Sequence, residues 1–102
     1  MAKYILNTSF HISESVIPLF ETWVKEIYIP KALDSGIFTD HTFTRLLVDV
    51  EPGTFSYAIH LLCDDIEKAT RWHDTIAASL KNKLHYQSGK QVVFFTTYME
   101  II

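Results

Sequence analysis

Four strand-like runs and two helical segments alternate along the 102-residue chain in the order βαββαβ. The predicted strands are rich in β-branched and aromatic residues and cover residues 3–12, 41–50, 54–62 and 90–101. The predicted helices have apolar residues at spacings of three and four and cover residues 15–33 and about 65–86. Their apolar stripes are predicted to consist of Val16, Phe20, Trp23, Val24 and Ile27 in the first helix and of Ile66, Ala69, Ile76, Ala77, Leu80 and Leu84 in the second. This order predicts an α+β domain with the ferredoxin-like, split-βαβ fold: a four-stranded antiparallel sheet with two helices.

Local signals support the boundaries of these elements. Pro30 is expected to kink the first helix or to restart it as a short last turn. Gly36 suits the left-handed position that follows a helix, and residues 51–53 (Glu-Pro-Gly) form a turn signal between strands two and three. Asp64 or Asp65 is expected to cap the second helix. Residues 1–102 are therefore predicted to form a single domain.

The sheet is predicted to have one face without helices, because right-handed crossovers place both helices on the same side. A face exposed to water should be polar. Yet large apolar residues occupy both parities of the later strands, as Ile59 and Leu62 do in strand three and Phe94 and Phe95 in strand four. We therefore expect the second face to pack on the same face of another copy, which gives a homodimer of the dimeric α/β-barrel type.

Composition disfavours several classes of function. The net charge is −3 and the basic residues are scattered, apart from a small group at Lys81, Lys83 and Lys90, so a nucleic-acid interface is not expected. No apolar run approaches 20 residues, so we expect no membrane-spanning helix. Cys63 is the only cysteine, which is typical of a reducing compartment, and a cytoplasmic location is the default expectation.

Recognised catalytic and cofactor motifs are absent from the sequence. It contains no phosphate-binding loop, dinucleotide fingerprint, nucleophile elbow or paired-histidine zinc helix. The five histidines lack the short spacings of metal ligands. We therefore expect no cofactor and no metal.

A polar row on the first strand is the first candidate site. Asn7 and His11 share its second parity with Ser9. Residues that could join them from strands two and three are Arg45, Asp49, Ser56 and His60. If this row faces the dimer interface, it would line a small-molecule cavity. The alternative interpretation is a network of hydrogen bonds that fixes the register of two subunits without any ligand.

His73 and Trp72 are the second candidate site. His73 is predicted to lie near the centre of the apolar stripe of helix two, between Ala69 and Ala77. Its imidazole there is either a core group bonded to a strand carbonyl or hydroxyl, or a ligand contact or proton donor in a pocket. Trp72, at the edge of the stripe, would either stack on a planar ligand, cover the rim of the core or meet the partner subunit.

Nearly the whole chain resembles a bacterial family of about this length that is known only as a domain of unknown function. The matching stretches are Ile5-Leu6-Asn7, Trp23, Ile29-Pro30, Gly36-Ile37-Phe38, Arg45-Leu46-Leu47-Val48-Asp49, Tyr57, Gly89-Lys90 and Val92-Val93. The family commonly has a histidine at the position of Tyr28. The resemblance implies the dimeric α/β-barrel fold and a homodimer, and it implies no activity.

Two hypotheses for function follow. The first is a non-enzymatic homodimer that binds a small molecule in a cavity at the sheet or dimer interface. The alternative is a cofactor-independent or haem-degrading monooxygenase, by analogy with other dimeric α/β barrels. That alternative would use Asn7, Trp72 and His73, although adjacent helical residues point about 100° apart.

Overall fold

A computed structural model describes residues 3–47 and 51–102. Four strands form one antiparallel sheet: β1 (Lys3–Ser13), β2 (Phe38–Arg45), β3 (Thr54–Cys63) and β4 (Val92–Ile101). Helix α1 covers residues 17–34, after a 3₁₀ turn at Glu14–Val16, and helix α2 covers residues 66–87. The sheet order is β2-β3-β1-β4, so the predicted ferredoxin-like βαββαβ fold is confirmed.

The sheet register decides which side chains face the helices. Leu6 lies opposite Leu61 of β3 and Tyr98 of β4, and Phe10 lies opposite Tyr57 and Phe94. Residues of this parity pack with Phe20, Trp23 and other residues of the helices to form the core. Phe10 is fully buried, and the centroid of its ring lies 4.9 Å from the ring centroid of Phe20 and 6.0 Å from that of Trp23.

Each helix contains one π-helical turn, which the sequence analysis did not predict. In α1, Val24–Tyr28 lies between Ile17–Trp23 and Ile29–Asp34. In α2, His73–Ala77 lies between Ile66–Trp72 and Ala78–Gln87. The first π turn stands just before Pro30. Proline has no N–H to donate to the carbonyl four residues earlier, and its ring would clash with that carbonyl in a regular α-helix. A wider, π-helical turn therefore takes the place of the break expected at Pro30, and the helix continues to Asp34.

The π turns change which residues reach the core. An inserted residue rotates the rest of a helix by about 100°, so buried positions become five residues apart. Trp23 and Tyr28 are both buried in α1, whereas Ile27, which the 3.6-residue period places in the core, is 42% exposed. Trp72 and Ala77 are both buried in α2, whereas Ile76 is 45% exposed. The predicted apolar stripes are thus wrong at Ile27 and Ile76.

Strand β2 also differs from its predicted position. It begins at Phe38, two residues after the left-handed Gly36 (φ 73°), and ends at Arg45, whereas the sequence predicts residues 41–50. Leu46 and Leu47 lie beyond the strand and are exposed, and the rest of the predicted strand, residues 48–50, lies outside the described residues. The strand starts early because pairing with β3 begins at Phe38 opposite Cys63, with an irregularity before Asp40.

The second helix begins at one of the two cap residues predicted from the sequence. Asp65 is the cap residue, and its carboxylate accepts a hydrogen bond from the backbone N–H of Lys68 at 3.1 Å.

Within the part of the chain that the structure describes, we find no helix with the length and apolar character needed to cross a membrane.

Candidate functional site

The sheet face that carries no helices is called the open face here. Most of its side chains come from the second parity of β1, β3 and β4. They are Ile5, Asn7, Ser9, His11, Ser56, Ala58, His60, Leu62, Val93, Phe95, Thr97, Met99 and Ile101. Among the described residues of these three strands, the only charged side chain of this parity is Lys3, at the end of the sheet. The edge strand β2 adds Asp40, opposite Leu62, so the charged groups of this face lie at its periphery. The open face is therefore apolar with a polar centre.

The polar centre is a row of hydrogen-bonded side chains along β1. His11 Nδ1 lies 2.8 Å from Ser56 Oγ. The Asn7 side-chain amide donates to Thr97 Oγ1 at 3.1 Å and to Ser9 Oγ at 3.3 Å. The Asn7 Oδ1 atom is buried and has no hydrogen-bond partner within the described residues. The row is thus ordered, and one of its acceptors is unsatisfied.

Two depressions in the open face flank this row. One of about 240 Å³ lies beside the His11–Ser56 pair, and Leu46, Ala58 and Phe95 complete much of its wall. The His11 ring stacks on Phe95 with 6.0 Å between ring centroids. The second depression, of about 170 Å³, lies at His60 between β1 and β2. Asn7, His11 and His60 therefore share a face, as the sequence analysis expected of a polar row.

Arg45 does not join this row. It pairs with Tyr57, whose side chain is in the core, so both point to the helix side of the sheet. There Arg45 lines a shallow depression with Glu21 and Lys25 at the outer edge of β2. The expectation that Arg45 could join the polar row is therefore wrong, because the register of β2 against β3 turns this residue to the helix side. Asp49, the other expected member from this strand, lies outside the described residues.

Trp72 is a core residue. It is 4% exposed and makes edge-on contacts with Tyr28 (5.8 Å) and Phe38 (5.1 Å). The π turn that follows it directs its ring inward, where the sequence analysis expected the edge of a stripe. Its indole N–H is buried without a partner in the described part of the chain. Trp72 is among the residues that line a surface groove, but a ring that is 4% exposed offers no free face on which a planar ligand could stack.

His73 belongs to a polar cluster on the helix side of the sheet. Its Nε2 atom lies 2.7 Å from Lys81 Nζ and 3.0 Å from the hydroxyl of Thr96 on β4. Lys81 Nζ also donates to Thr96 Oγ1 at 2.9 Å, and Thr96 lies 3.3 Å from the Thr8 hydroxyl. A strand hydroxyl is one of the partners that the sequence analysis expected for His73.

Burial controls the electrostatics of this cluster. Lys81 is only 2% exposed, and burial lowers its pKa from 10.5 to about 8. Burial, together with the nearby Lys81 charge, also lowers the pKa of His73, while the Asp74 carboxylate, 3.1 Å from Nδ1, opposes that change. These contacts assign the Nδ1 proton to the Asp74 side and leave Nε2 to accept from Lys81.

Lys81 is the residue that the sequence analysis missed. The sequence shows it only as a member of a small group of basic residues with Lys83 and Lys90. A signal was present, because Ala77, Lys81 and Leu84 have the spacing of one helical stripe. A lysine at a core position of such a stripe indicates either a long side chain that reaches solvent or a buried amine, and the structure shows the second.

The residues of the monooxygenase hypothesis do not meet. Asn7 lies on the open face, whereas His73 and Trp72 lie on the opposite side of the sheet. The two helical residues also point apart, since Trp72 contacts Phe38 and His73 contacts Tyr98. The described residues contain no group of three or more side chains that could hold a metal ion.

Comparison with solved structures supports the fold alone, because every identity is low. A dimeric ferredoxin-like protein from an uncultured marine organism has a TM-score of 0.68 at 15% identity, over 100% of this chain and 97% of that one. HapK from Hahella chejuensis has a TM-score of 0.66 at 15% identity, over 98% and 92% of the two chains. An ethyl tert-butyl ether d (ethd) family protein from Bacillus halodurans has a TM-score of 0.61 at 14% identity, over 95% and 97%.

Sequence comparison identifies the family. No curated protein matches the chain. The family model described as Domain of unknown function (DUF4286) matches residues 3–102. Because this match covers almost the whole chain, including both helices and all four strands, the chain belongs to the DUF4286 family.

Proposed function

We propose that the protein is a homodimer whose two open faces pack together and enclose a binding cavity for a small molecule. The observation that carries this proposal is the exposure of large apolar side chains on one strand of that face. Phe95 is 52% exposed, Val93 47%, Ile101 48% and Met99 37%. Contiguous apolar surface of this kind marks an interaction site in a protein of this size.

Depletion of charge supports a second copy as the occupant. Charged residues are rare at the buried centre of protein interfaces, and the centre of the open face holds serine, threonine, asparagine and histidine instead. A twofold axis would place the same self-complementary surface on both subunits. One of the structural neighbours is described as a dimeric ferredoxin-like protein, which agrees with this arrangement.

The His11–Ser56 pair supports the proposed cavity. The depression beside it holds about 240 Å³, and a facing copy would bring the enclosed volume into the range of roughly 300–1,000 Å³ typical of ligand pockets. Phe95 and Leu46 supply apolar walls. With Nδ1 bonded to Ser56, Nε2 of His11 is the ring atom left to bind a ligand. A small, mostly apolar molecule with one hydrogen-bonding group fits this lining.

The dimer is tested with a matched pair of variants in size-exclusion chromatography with light scattering. Phe95→Lys introduces a charge at the centre of the open face and is expected to give a folded monomer at micromolar concentration. Leu33→Lys makes the same change at a helix position of similar exposure (43%) and should remain a dimer. A wild-type monomer, or a dimer of Phe95→Lys, would contradict the proposed interface.

The cavity is tested separately, by thermal-shift screening of small apolar alcohols, phenols and carboxylic acids. A compound that binds the folded dimer should raise its melting temperature, as linkage requires. His11→Ala should abolish that rise and leave the dimer intact. If no compound stabilises the wild type, or if His11→Ala responds equally, the polar row serves only to fix the interface.

A further inference from the structure

Lys81 is a buried amine without an anionic partner. Its Nζ atom contacts the imidazole of His73 and the hydroxyl of Thr96, and lies 4.8 Å from the centre of the Phe94 ring. No carboxylate lies within ion-pair distance of it among the described residues. Buried lysines are ordinarily paired with an acid, because an unpaired charge is costly in a protein interior. An amine held in this way is suited to chemistry that uses its neutral form.

Both π turns bring polar side chains to this cluster. His73 is the first residue of one π turn and Tyr28 the last residue of the other. The Tyr28 hydroxyl is fully buried beside Thr8 and makes no hydrogen bond of good geometry within the described residues. Single π turns are rare and frequently occur at functional sites. Tyr28 also contacts Trp72, the residue before the second π turn, and Thr8 contacts Thr96, so both turns lie beside this cluster.

We propose that Lys81 is a reactive amine that forms an imine with a small aldehyde or 2-oxo acid, with His73 as its proton acceptor and donor. The site lies on the helix side of the sheet. It therefore does not depend on the dimer cavity proposed above.

His73 is placed for the first and the last proton transfer of imine formation. Lys81 gives a proton to Nε2 of His73, and the neutral amine attacks the carbonyl carbon. The carbonyl π electrons pass to oxygen, which takes a proton from the nitrogen and gives a carbinolamine. The His73 imidazolium, stabilised by Asp74 at 3.1 Å, protonates the hydroxyl, which leaves as water while the C=N bond forms. The net reaction converts an ammonium ion and a carbonyl into an iminium ion and water, without any redox step.

Tyr98 lies between this site and solvent. It is 41% exposed, lies on the edge strand β4, and contacts the His73 ring edge-on at 6.1 Å. The His73 side chain is itself 16% exposed. A small carbonyl compound would thus enter past Tyr98.

The test is reductive trapping of the wild-type protein with glyoxylate and cyanoborohydride at pH 7.5, followed by peptide mass spectrometry. An amine with a pKa near 8 has a neutral fraction about two orders of magnitude above that of an ordinary exposed lysine. Allowing for slower entry, we expect labelling of Lys81 at least about tenfold faster than labelling of Lys83. The rate at Lys81 should level off above pH 8, whereas that at Lys83 should continue to rise.

Variants and unfolding distinguish this site from a structural network. His73→Gln retains a polar partner but no base, so it should slow labelling of Lys81 and leave Lys83 unchanged. Tyr98→Ala opens the entrance and should accelerate labelling of Lys81. In urea, all lysines should react alike. Labelling of Lys81 no faster than that of Lys83 in the folded protein, or only in urea, would overturn the proposal.

Discussion

Replacing Lys81 by methionine is expected to remove a pH dependence from the stability of the protein. In the folded state the pKa of Lys81 is about 8, whereas the unfolded chain has the ordinary value of 10.5. The unfolded state therefore binds more protons between these values, and stability must rise with pH there. At about 1.4 kcal/mol per pH unit, this one group should add about 2 kcal/mol to the free energy of unfolding between pH 7.5 and 9.5.

The measurement is urea unfolding of wild type and Lys81→Met at both pH values. Burial raises the pKa of Cys63 and of Tyr28, which acts in the opposite direction at high pH. Both groups are present in both proteins, so the difference between the proteins isolates Lys81. At pH 7.5 the variant should be as stable as wild type or more stable, because an apolar side chain replaces a buried charge.

A matched control is Lys83→Met, which changes an exposed lysine on the same helix and should keep the wild-type pH dependence. Equal pH slopes for wild type and Lys81→Met would refute the reasoning. They would mean that the Lys81 amine reaches water in solution.

Three further variants test the fold by urea unfolding. Phe10→Ala empties the centre of the aromatic core and should destabilise the protein by about 3–5 kcal/mol, and a loss below 1 kcal/mol would contradict the packing described. Asp65→Ala removes the carboxylate that accepts a hydrogen bond from the Lys68 N–H and should lower the free energy of unfolding by about 1 kcal/mol. Asp64→Ala is the control and should change the free energy of unfolding little. Gly36→Ala puts a side chain at φ 73°, where no atom lies close enough to clash with it. Backbone strain alone should therefore lower the free energy of unfolding by about 1 kcal/mol. Equal stability of variant and wild type would show that the turn adapts.

The elements and their order could be predicted because they depend on local patterns. Alternation placed Phe55, Tyr57, Ile59 and Leu61 on one face of β3, and the structure has them there. The apolar excess on the other face of the sheet was visible for the same reason: strand parity is fixed by backbone geometry. The polar row of Asn7, His11 and His60 followed from that parity.

The π turns could not be predicted from helical periodicity. A period of 3.6 places Ile27 and Ile76 in the core, whereas the structure buries Tyr28 and Trp72. The choice between these positions depends on how well each side chain packs against the opposite helix, where Tyr28 meets Trp72 at 5.8 Å. Such complementarity is a property of two distant segments together.

The register of β2 against β3 also could not be predicted from local sequence patterns. The run from Arg45 onward is the most strand-like part of that segment, yet among the described residues the regular ladder with β3 extends only from Phe38 to Arg45. An edge strand has only one neighbour, so its position follows the hydrogen bonds available on that neighbour. This placed Arg45 on the helix side of the sheet and separated it from the polar row.

Alternation and helical spacing by themselves determined the order of elements, the two faces of the sheet and the apolar character of the open face. Only the tertiary structure decided that Lys81 is a buried amine held by His73 and Thr96. Periodicity reports which side of an element a residue occupies, because it follows from backbone geometry. A hydrogen bond between α2 and β4 depends on how two elements pack, and no short segment carries that information.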